Sequence, residues 1–216
     1  MKNLLKKELS LCLHPSTPLM LALSALALVP NYPLSLIYFY LTLGLFFICL
    51  SGRENQDVVY TMTLPIARRD LVGARFLLTL LLELVQMLLC FGFIQLHRIL
   101  GSTPNAAGMD ANLALLGEGF LFFGLYHLVF FPSYYRDVNK VGVSFVKGAV
   151  FAAVFVTADI VGCYAVPFMR DVLDTPDPQH RGAKLVFLAV SVLVYAAGTL
   201  LALRISQRRF ERLDIR

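Results

Sequence analysis

The sequence is poor in charge and lacks the common nucleotide and metal motifs. Only 15% of its 216 residues are charged, whereas a soluble domain has about 25%. No G-x-x-x-x-G-K-[ST] loop is present, so the chain has no phosphate loop of its own for ATP. It also has no H-E-x-x-H motif, its histidines are scattered, and its four cysteines form no C-x-x-C pair. We therefore expect neither a catalytic residue nor a bound metal in this chain.

Long apolar runs dominate the sequence and predict an all-α integral membrane protein with a single domain, 1–216. Hydrophobic residues make up 58% of the chain, and a helix needs about 20 such residues to cross the ~30 Å hydrocarbon layer. The runs are too long and too uniform for the strands of a membrane barrel. We predict six spans: Leu19–Val29 with extended ends, Leu34–Leu50, Leu71–Leu96, Leu113–Phe131, Val143–Phe168 and Ala183–Leu203.

Three polar or amphipathic segments flank these runs. Residues 1–16 predict a helix lying in the membrane interface, because its leucines and Cys12 fall on one side and Lys6, Lys7 and Ser10 on the other. A helix packed on a partner is the alternative. Residues 51–70 form a polar loop between the second and third spans. Residues 204–216 form a basic tail.

Positive charge is distributed unevenly between the two ends of the predicted bundle. Fifteen of the nineteen lysines and arginines fall in the N-terminal segment, the 51–70 loop with the start of span three, the loop after span four and the tail. This bias predicts that both termini and these loops are cytoplasmic in a multi-pass protein. It also explains the net charge of +5 without a nucleic-acid partner.

Polar side chains inside the predicted spans are the candidates for a transport pathway. They are Glu83, Gln86, Glu118 and Asp159, and Glu83 shares a helix face with Gln86. Acids within a membrane are costly and are usually paired or functional. They line a polar interior, bond to neighbouring helices or relay protons, and the sequence leaves these roles open. We expect Glu83 to face the protein interior rather than lipid.

The stretch SGRENQD, residues 51–57, raises the question of which partner recognises so polar a patch. We predict a short amphipathic helix over Arg53–Leu64, with Val58, Val59 and Met62 on its apolar side. Glu54 and Asp57 would lie near its start, where acids complement the helix dipole. A helix of this kind between two spans can dock on a cytoplasmic protein. A solvated helix on the membrane surface is the alternative.

The segment GRENQDVVYTMTLPIARRDLVGARF resembles the loop signature of bacterial ABC type-2 exporter permeases. The start of the chain, KKELSLCLHPSTPLMLALSALALVPNYP, is similar to the small permeases that export amphipathic peptides of the phenol-soluble-modulin type. The resemblance covers about the first 90 residues. The positions that carry the loop signature are Glu54, Asp57, Tyr60, Leu64, Pro65, Arg68, Arg69, Asp70, Ala74, Arg75 and Phe76.

The resemblance implies a permease in the bacterial cytoplasmic membrane that pairs with a second copy of itself or with a similar half. A separate ABC ATPase, which holds ATP and Mg²⁺, would dock beneath the pair in two copies. The resemblance also implies a peptide cargo and contacts with anionic lipids. The ATPase-coupling residues would be Arg53, Glu54, Asn55, Gln56, Asp57, Tyr60, Pro65, Arg68, Arg69 and Asp70, with a lesser contact at Tyr134, Arg136, Asp137 and Lys140. The alternatives are a drug or lipid efflux permease and a stand-alone proton-coupled transporter.

Overall fold

The computed structural model describes residues 2–101 and 105–213, and within these residues the secondary structure is helical. Helix α1 (Lys2–Lys7) continues into a π-helical turn, Glu8–Cys12, and helix α2 (Thr17–Ala22) continues into a 3₁₀ helix, Leu23–Leu28. A second π-helical turn, Met169–Leu173, precedes the last helix. The α-helices are α1 (Lys2–Lys7), α2 (Thr17–Ala22), α3 (Leu36–Glu54), α4 (Asp57–Met62), α5 (Arg68–Ile99), α6 (Leu113–Tyr134), α7 (Val141–Ala165) and α8 (Arg181–Glu211).

Five of the described helices, α3 and α5 to α8, are long and apolar enough to cross a membrane. The predicted first span is different, because Thr17–Leu28 is a shorter apolar segment whose second half is a 3₁₀ helix. Six α-helical and six 3₁₀ residues span about 21 Å, less than the ~30 Å of hydrocarbon. The prediction of six full-length spans is therefore not confirmed. The other five predicted spans correspond to α3 and α5 to α8, with starts within three residues and ends that differ by up to eight residues.

The first segment nevertheless connects the two ends of the bundle. At one end Lys7 Nζ donates to Asp57 Oδ1 at 2.8 Å. At the other end Asn105 Nδ2 donates to the carbonyl oxygen of Tyr32 at 2.9 Å. The described C-terminus returns to the first end, where Arg68 Nη1 donates to the carbonyl oxygen of Leu213 at 2.8 Å. The two described termini and the 51–70 loop therefore lie at the same end, which we call the loop end.

Helix α6 lies at the centre of the bundle and is packed by rings and glycines. Phe122, Tyr126, Phe130 and Tyr134 stack at successive i, i+4 positions, with centroid separations of 5.9, 5.4 and 6.2 Å. On another face α6 crosses α8 so closely that a Cβ at Gly198 would lie 2.5 Å from the carbonyl oxygen of α6 that it faces. Small residues at such a crossing let two membrane helices approach closely.

Helices α5, α7 and α8 carry exposed apolar side chains of the kind that face lipid or a second protein chain. The most exposed include Leu88, Val154, Val186 and Leu193, each at least 62% exposed. In water such surfaces would favour aggregation, whereas in a bilayer they cost nothing. The outward apolar faces and the long helices together indicate a multi-pass membrane protein.

The N-terminal segment differs from the predicted interfacial helix, because the buried face is Leu4, Glu8 and Cys12, and Leu9 is 44% exposed. The π-helical turn at Glu8–Cys12 rotates these side chains away from their places on a regular α-helical wheel. At the other terminus the predicted tail is not a separate segment, since residues 204–211 continue α8. Residues 214–216 of that tail lie outside the described residues.

Candidate coupling surface and buried polar clusters

The loop between α3 and α5 is organised around a break at Gln56. Helix α3 continues through Arg53 to Glu54, and Gln56 then takes a left-handed conformation with φ of 51° before α4 begins at Asp57. The predicted helix Arg53–Leu64 is therefore wrong at both ends. Glu54 closes α3 instead of opening the next helix, whereas Asp57 does lie in the first turn of α4 and complements its dipole there.

The surface of this loop combines charge, amide and apolar groups. Val59 and Tyr60 are 46% and 63% exposed, while Val58 of the predicted apolar side is buried and Met62 is half-buried. Polar side chains flank Val59 and Tyr60 on both sides, so the exposed face of this loop is amphipathic. We call its members the coupling surface: Arg53, Glu54, Asn55, Gln56, Val59, Tyr60, Leu64 and Pro65, all of them exposed.

The second predicted contact loop lies beside the first. Arg53 Nη1 donates to the carbonyl oxygen of Asn139 at 3.5 Å. A concave cavity of about 680 Å³ separates the two loops, and its walls include Gln56, Val59 and Arg136. The predicted residue Tyr134 also lines this cavity, but its side chain is only 1% exposed. Asp137 is half-buried and pairs with the exposed Lys140 at 3.2 Å.

Asp57 is part of a buried group of four charged side chains, which we call the charge cluster: Lys7, Glu8, Asp57 and Arg75. Lys7 Nζ lies 2.8 Å from Asp57 Oδ1, and Arg75 Nη2 lies 3.3 Å from Asp57 Oδ2. Arg75 Nε lies 2.5 Å from Glu8 Oε2, and both side chains are at most 5% exposed. Two acids and two bases balance each other, so the cluster is compatible with burial. It joins α1, α4 and α5.

Glu8, Cys12 and Asp57 lie close enough for a metal site, with ligand atoms within 4.8 Å of one another. The charge cluster argues against this use, because Arg75 and Lys7 already provide the positive charge that a cation would bring. Burial also raises the pKa of Cys12 to about 12, so a metal would have to displace a tightly held proton from the thiol. The arrangement is therefore best explained as a structural ion-pair network.

The basic pair at the start of α5 holds the end of α8. Arg68 Nη1 donates to the carbonyl oxygens of Phe210, Glu211 and Leu213 at 3.4, 3.0 and 2.8 Å, and Arg69 pairs with the Glu211 carboxylate. A cation at a helix C-terminus satisfies the last carbonyls and complements the dipole. Arg68 is thus engaged within the protein. Asp70 is exposed in the first turn of α5.

Glu83 lies inside the bundle with two protein partners. Its Oε1 lies 2.7 Å from His127 Nε2, and its Oε2 accepts a hydrogen bond from the Tyr195 hydroxyl at 2.7 Å. His127 Nδ1 is also 2.9 Å from Thr199 Oγ1. The network joins α5, α6 and α8. The sequence did not identify His127, Tyr195 or Thr199 as partners, because they are 44 or more positions away from Glu83.

Gln86 lies on the same helix face as Glu83 but bonds to a different group. Its Nε2 donates to the carbonyl oxygen of Ile37 at 3.2 Å.

The other two acids lie together near the end of the bundle opposite the loop end. Asp159 Oδ2 accepts from Ser35 Oγ at 3.0 Å, whereas neither carboxylate oxygen of Glu118 has a hydrogen-bond partner among the described residues. Both line a cavity of about 300 Å³.

Comparison with known proteins agrees with this architecture. The family model described as "ABC-2 family transporter protein" matches residues 3–207, almost the whole chain. No curated protein and no solved structure matches the chain. A match of this extent includes the coupling surface and the five long helices except the last turn of α8. The chain belongs to the ABC-2 family of transporter proteins and is a membrane permease component of an ABC transporter.

Proposed function

We propose that this chain is the transmembrane half of an ATP-driven exporter and that a separate ATPase subunit binds its coupling surface from the cytoplasm. The observation that carries the proposal is the exposed amphipathic face of α4, beside the cavity between the two loops. Permeases of this family generally work with an ATPase partner. A separate ATPase agrees with the absence of a phosphate loop from this sequence.

The exposed side chains suit docking of a short helix into a groove. Val59 and Tyr60 project from α4 and offer an aromatic and an aliphatic anchor, as in helix-in-groove recognition. Around them Arg53, Glu54 and Asn55 provide a charged rim that sets orientation. Asp57 makes no direct contact in this scheme, because it is buried in the charge cluster; its part is to position α4.

Site-specific crosslinking tests the proposal. A photoreactive phenylalanine analogue is placed at Tyr60, which is 63% exposed on the coupling surface, and at Tyr164, which is 61% exposed at the opposite end of the bundle. Both variants are expressed in the native organism and crosslinked in membranes. We expect a protein with an ABC ATPase sequence to crosslink at Tyr60 and not at Tyr164. Equal crosslinking at both positions, or none at Tyr60, would contradict the docking site.

We further propose that the assembly holds two permeases and two ATPases, exports amphipathic peptides and lies in a bacterial cytoplasmic membrane with both termini inside. The resemblance to phenol-soluble-modulin exporters supports this cargo, and the positive charge at the loop end supports the orientation. Inverted vesicles that contain the complex should take up an amphipathic peptide when ATP is added. Uptake of lipophilic drugs but not peptides would favour the efflux alternative. Uptake driven by a proton gradient without ATP would favour the proton-coupled one.

A further inference from the structure

We propose that the 300 Å³ cavity between α6, α7 and the π-helical turn Met169–Leu173 binds a small organic cation, a primary ammonium group on an apolar chain, through Glu118. Nothing in the proposed function requires this site, and its occupancy can be measured without transport. We call it the Glu118 cavity.

The first argument is the missing partner of Glu118. Its side chain is 4% exposed, and both carboxylate oxygens lack a hydrogen-bond partner among the described residues. Glu83 of the same bundle has a partner on each oxygen, His127 and Tyr195, so the fold does supply partners for a buried acid. A buried carboxylate is tolerated when a positive group neutralises it. The Glu118 cavity leaves room for such a group to enter.

The second argument is the shape and lining of the cavity. Its walls are mostly apolar and include Leu121, Phe155 and Phe187, while Asp159 adds a second carboxylate. A volume of about 300 Å³ is at the lower end of ligand pockets and roughly ten times the share of one water molecule. A bare Ca²⁺ would need about six or more oxygen ligands, which these walls do not supply. An alkylammonium fits, because its N–H groups donate to carboxylates and its positive charge is attracted to aromatic faces.

The third argument is that the backbone holds Glu118 in place. The glycines on either side of it pack against rings: a Cβ at Gly117 would lie 2.8 Å from the Phe187 ring, and one at Gly119 would lie 2.6 Å from the Tyr38 ring. Rotation of this part of α6 would drive the helix into one ring or the other. The backbone at Glu118 is therefore held in place, with its side chain on the cavity wall. Asp159 is fixed in turn by Ser35.

The absence of tryptophan from the chain allows a direct binding experiment. Phe168 lines the cavity and is 55% exposed, so Phe168→Trp places the sole tryptophan at its edge. The protein is reconstituted in phosphatidylglycerol nanodiscs and titrated with n-octylammonium or with the uncharged n-octanol while tryptophan emission is recorded. Calorimetric titration of the parent chain checks that the tryptophan does not create the site.

We expect octylammonium to bind about tenfold or more tightly than octanol, as for gain of a hydrogen bond to a charged group. Glu118→Gln should remove this preference, whereas Asp171→Asn, at an exposed acid paired with Arg170 outside the cavity, should preserve it. Equal affinities of the parent for the two probes, or octylammonium affinity within about twofold of the parent in a folded Glu118→Gln, would overturn the proposal. Equal affinities in the parent overturn the proposal even if Glu118→Gln does not fold, and protein-free nanodiscs titrated with both probes correct for attraction of the ammonium by the anionic lipid.

The same titration distinguishes two sources of the ammonium group. In nanodiscs that contain phosphatidylethanolamine, a weaker apparent affinity for octylammonium assigns the cavity to the lipid headgroup. An unchanged affinity assigns it to a free amine. Both results require an ammonium site at Glu118.

Discussion

Removal of Arg75 should destabilise the protein far more than removal of Arg69, although the two residues lie on the same helix six positions apart. Arg75 is buried and contacts both Glu8 and Asp57, at 2.5 and 3.3 Å. Loss of one partner from a buried ion pair costs about 3–5 kcal/mol, because the opposite charge stays buried without compensation. Arg69 is 67% exposed and pairs with Glu211, and solvent screens an exposed pair so that it contributes little to stability.

The assay is unfolding by sodium dodecyl sulfate in mixed micelles, followed by far-ultraviolet circular dichroism. Arg75→Met and Arg69→Met replace the same side chain by one of similar length, so the comparison isolates the environment. We expect a loss of about 3–5 kcal/mol for Arg75→Met and a much smaller loss for Arg69→Met. Equal losses would refute the buried network.

A second variant separates lost packing from uncompensated charge. Arg75→Met with Glu8→Gln removes one base and one acid of the charge cluster, and leaves Lys7 opposite Asp57. If the loss comes from the excess negative charge at Glu8, which then shares Lys7 at 3.3 Å with Asp57, the double variant should recover about 1–3 kcal/mol relative to Arg75→Met alone, as coupled neighbours do. Additive losses would show that the guanidinium acts through packing and not through charge.

Three further predictions concern other parts of the molecule. In the same unfolding assay, Gly198→Val should cost about 1–3 kcal/mol because it overpacks the α6–α8 crossing. The control Gly182→Val lies on the same helix and should cost about 0.5 kcal/mol or less, since no described atom lies within 4 Å of the added Cβ. Burial raises the pKa of Asp174 to about 6, so folding favours the protonated carboxyl. The stability that Asp174 contributes is therefore complete below about pH 4. It is lost as the pH rises through 6. The melting temperature should fall less between pH 5 and 7 in Asp174→Asn than in the parent. Glu54→Lys on the coupling surface should reduce co-purification of the ATPase about tenfold by like-charge contact, and Asp171→Lys at the opposite end should leave it unchanged.

The long helices could be predicted from the sequence because their signal is local. The predicted starts of the third and fourth spans, Leu71 and Leu113, lie three and zero residues from the observed starts of α5 and α6. A continuous apolar run determines where a helix can lie in a bilayer, and the count needs no information about neighbours. The first span was predicted less well, because its apolar composition does not distinguish an α-helix from the 3₁₀ segment Leu23–Leu28.

The ends of the polar loop could not be predicted, since charge does not by itself stop a helix. Helix α3 continues through Ser51 to Glu54, and the break comes at Gln56, which takes a left-handed conformation without being glycine. In a sequence, glycine and, less often, asparagine are the residues that predict a left-handed conformation. The residue that precedes Gln56 is an asparagine, so the sequence does not indicate which of the two positions takes this conformation.

The partners of the buried charges were beyond a single sequence for a different reason. Asp57 meets Lys7, 50 positions away, and Glu83 meets His127 and Tyr195, 44 and 112 positions away. Hydropathy describes each helix but carries no information about which faces of two helices meet. One cue was present: Glu8 lies between Leu4 and Cys12 at four-residue intervals, which places an acid on an apolar face and indicates a buried counter-charge.

The positions of the loop signature divide into two sets with different physical roles. Tyr60 and Glu54 are exposed and can contact another protein, whereas Asp57 and Arg75 are buried against each other and cannot. Gln56 interrupts the helix between α3 and α4. Helix α4 is also joined to α5 by the Asp57–Arg75 ion pair, which lies in a low-dielectric environment where electrostatic coupling is strong. We therefore expect a force applied to α4 to move α5 as well. Glu83 lies on that helix about 12 Å beyond Arg75, and it connects α5 to α6 and α8 through His127 and Tyr195. Binding at the loop end would thus reach the centre of the bundle through two polar contacts.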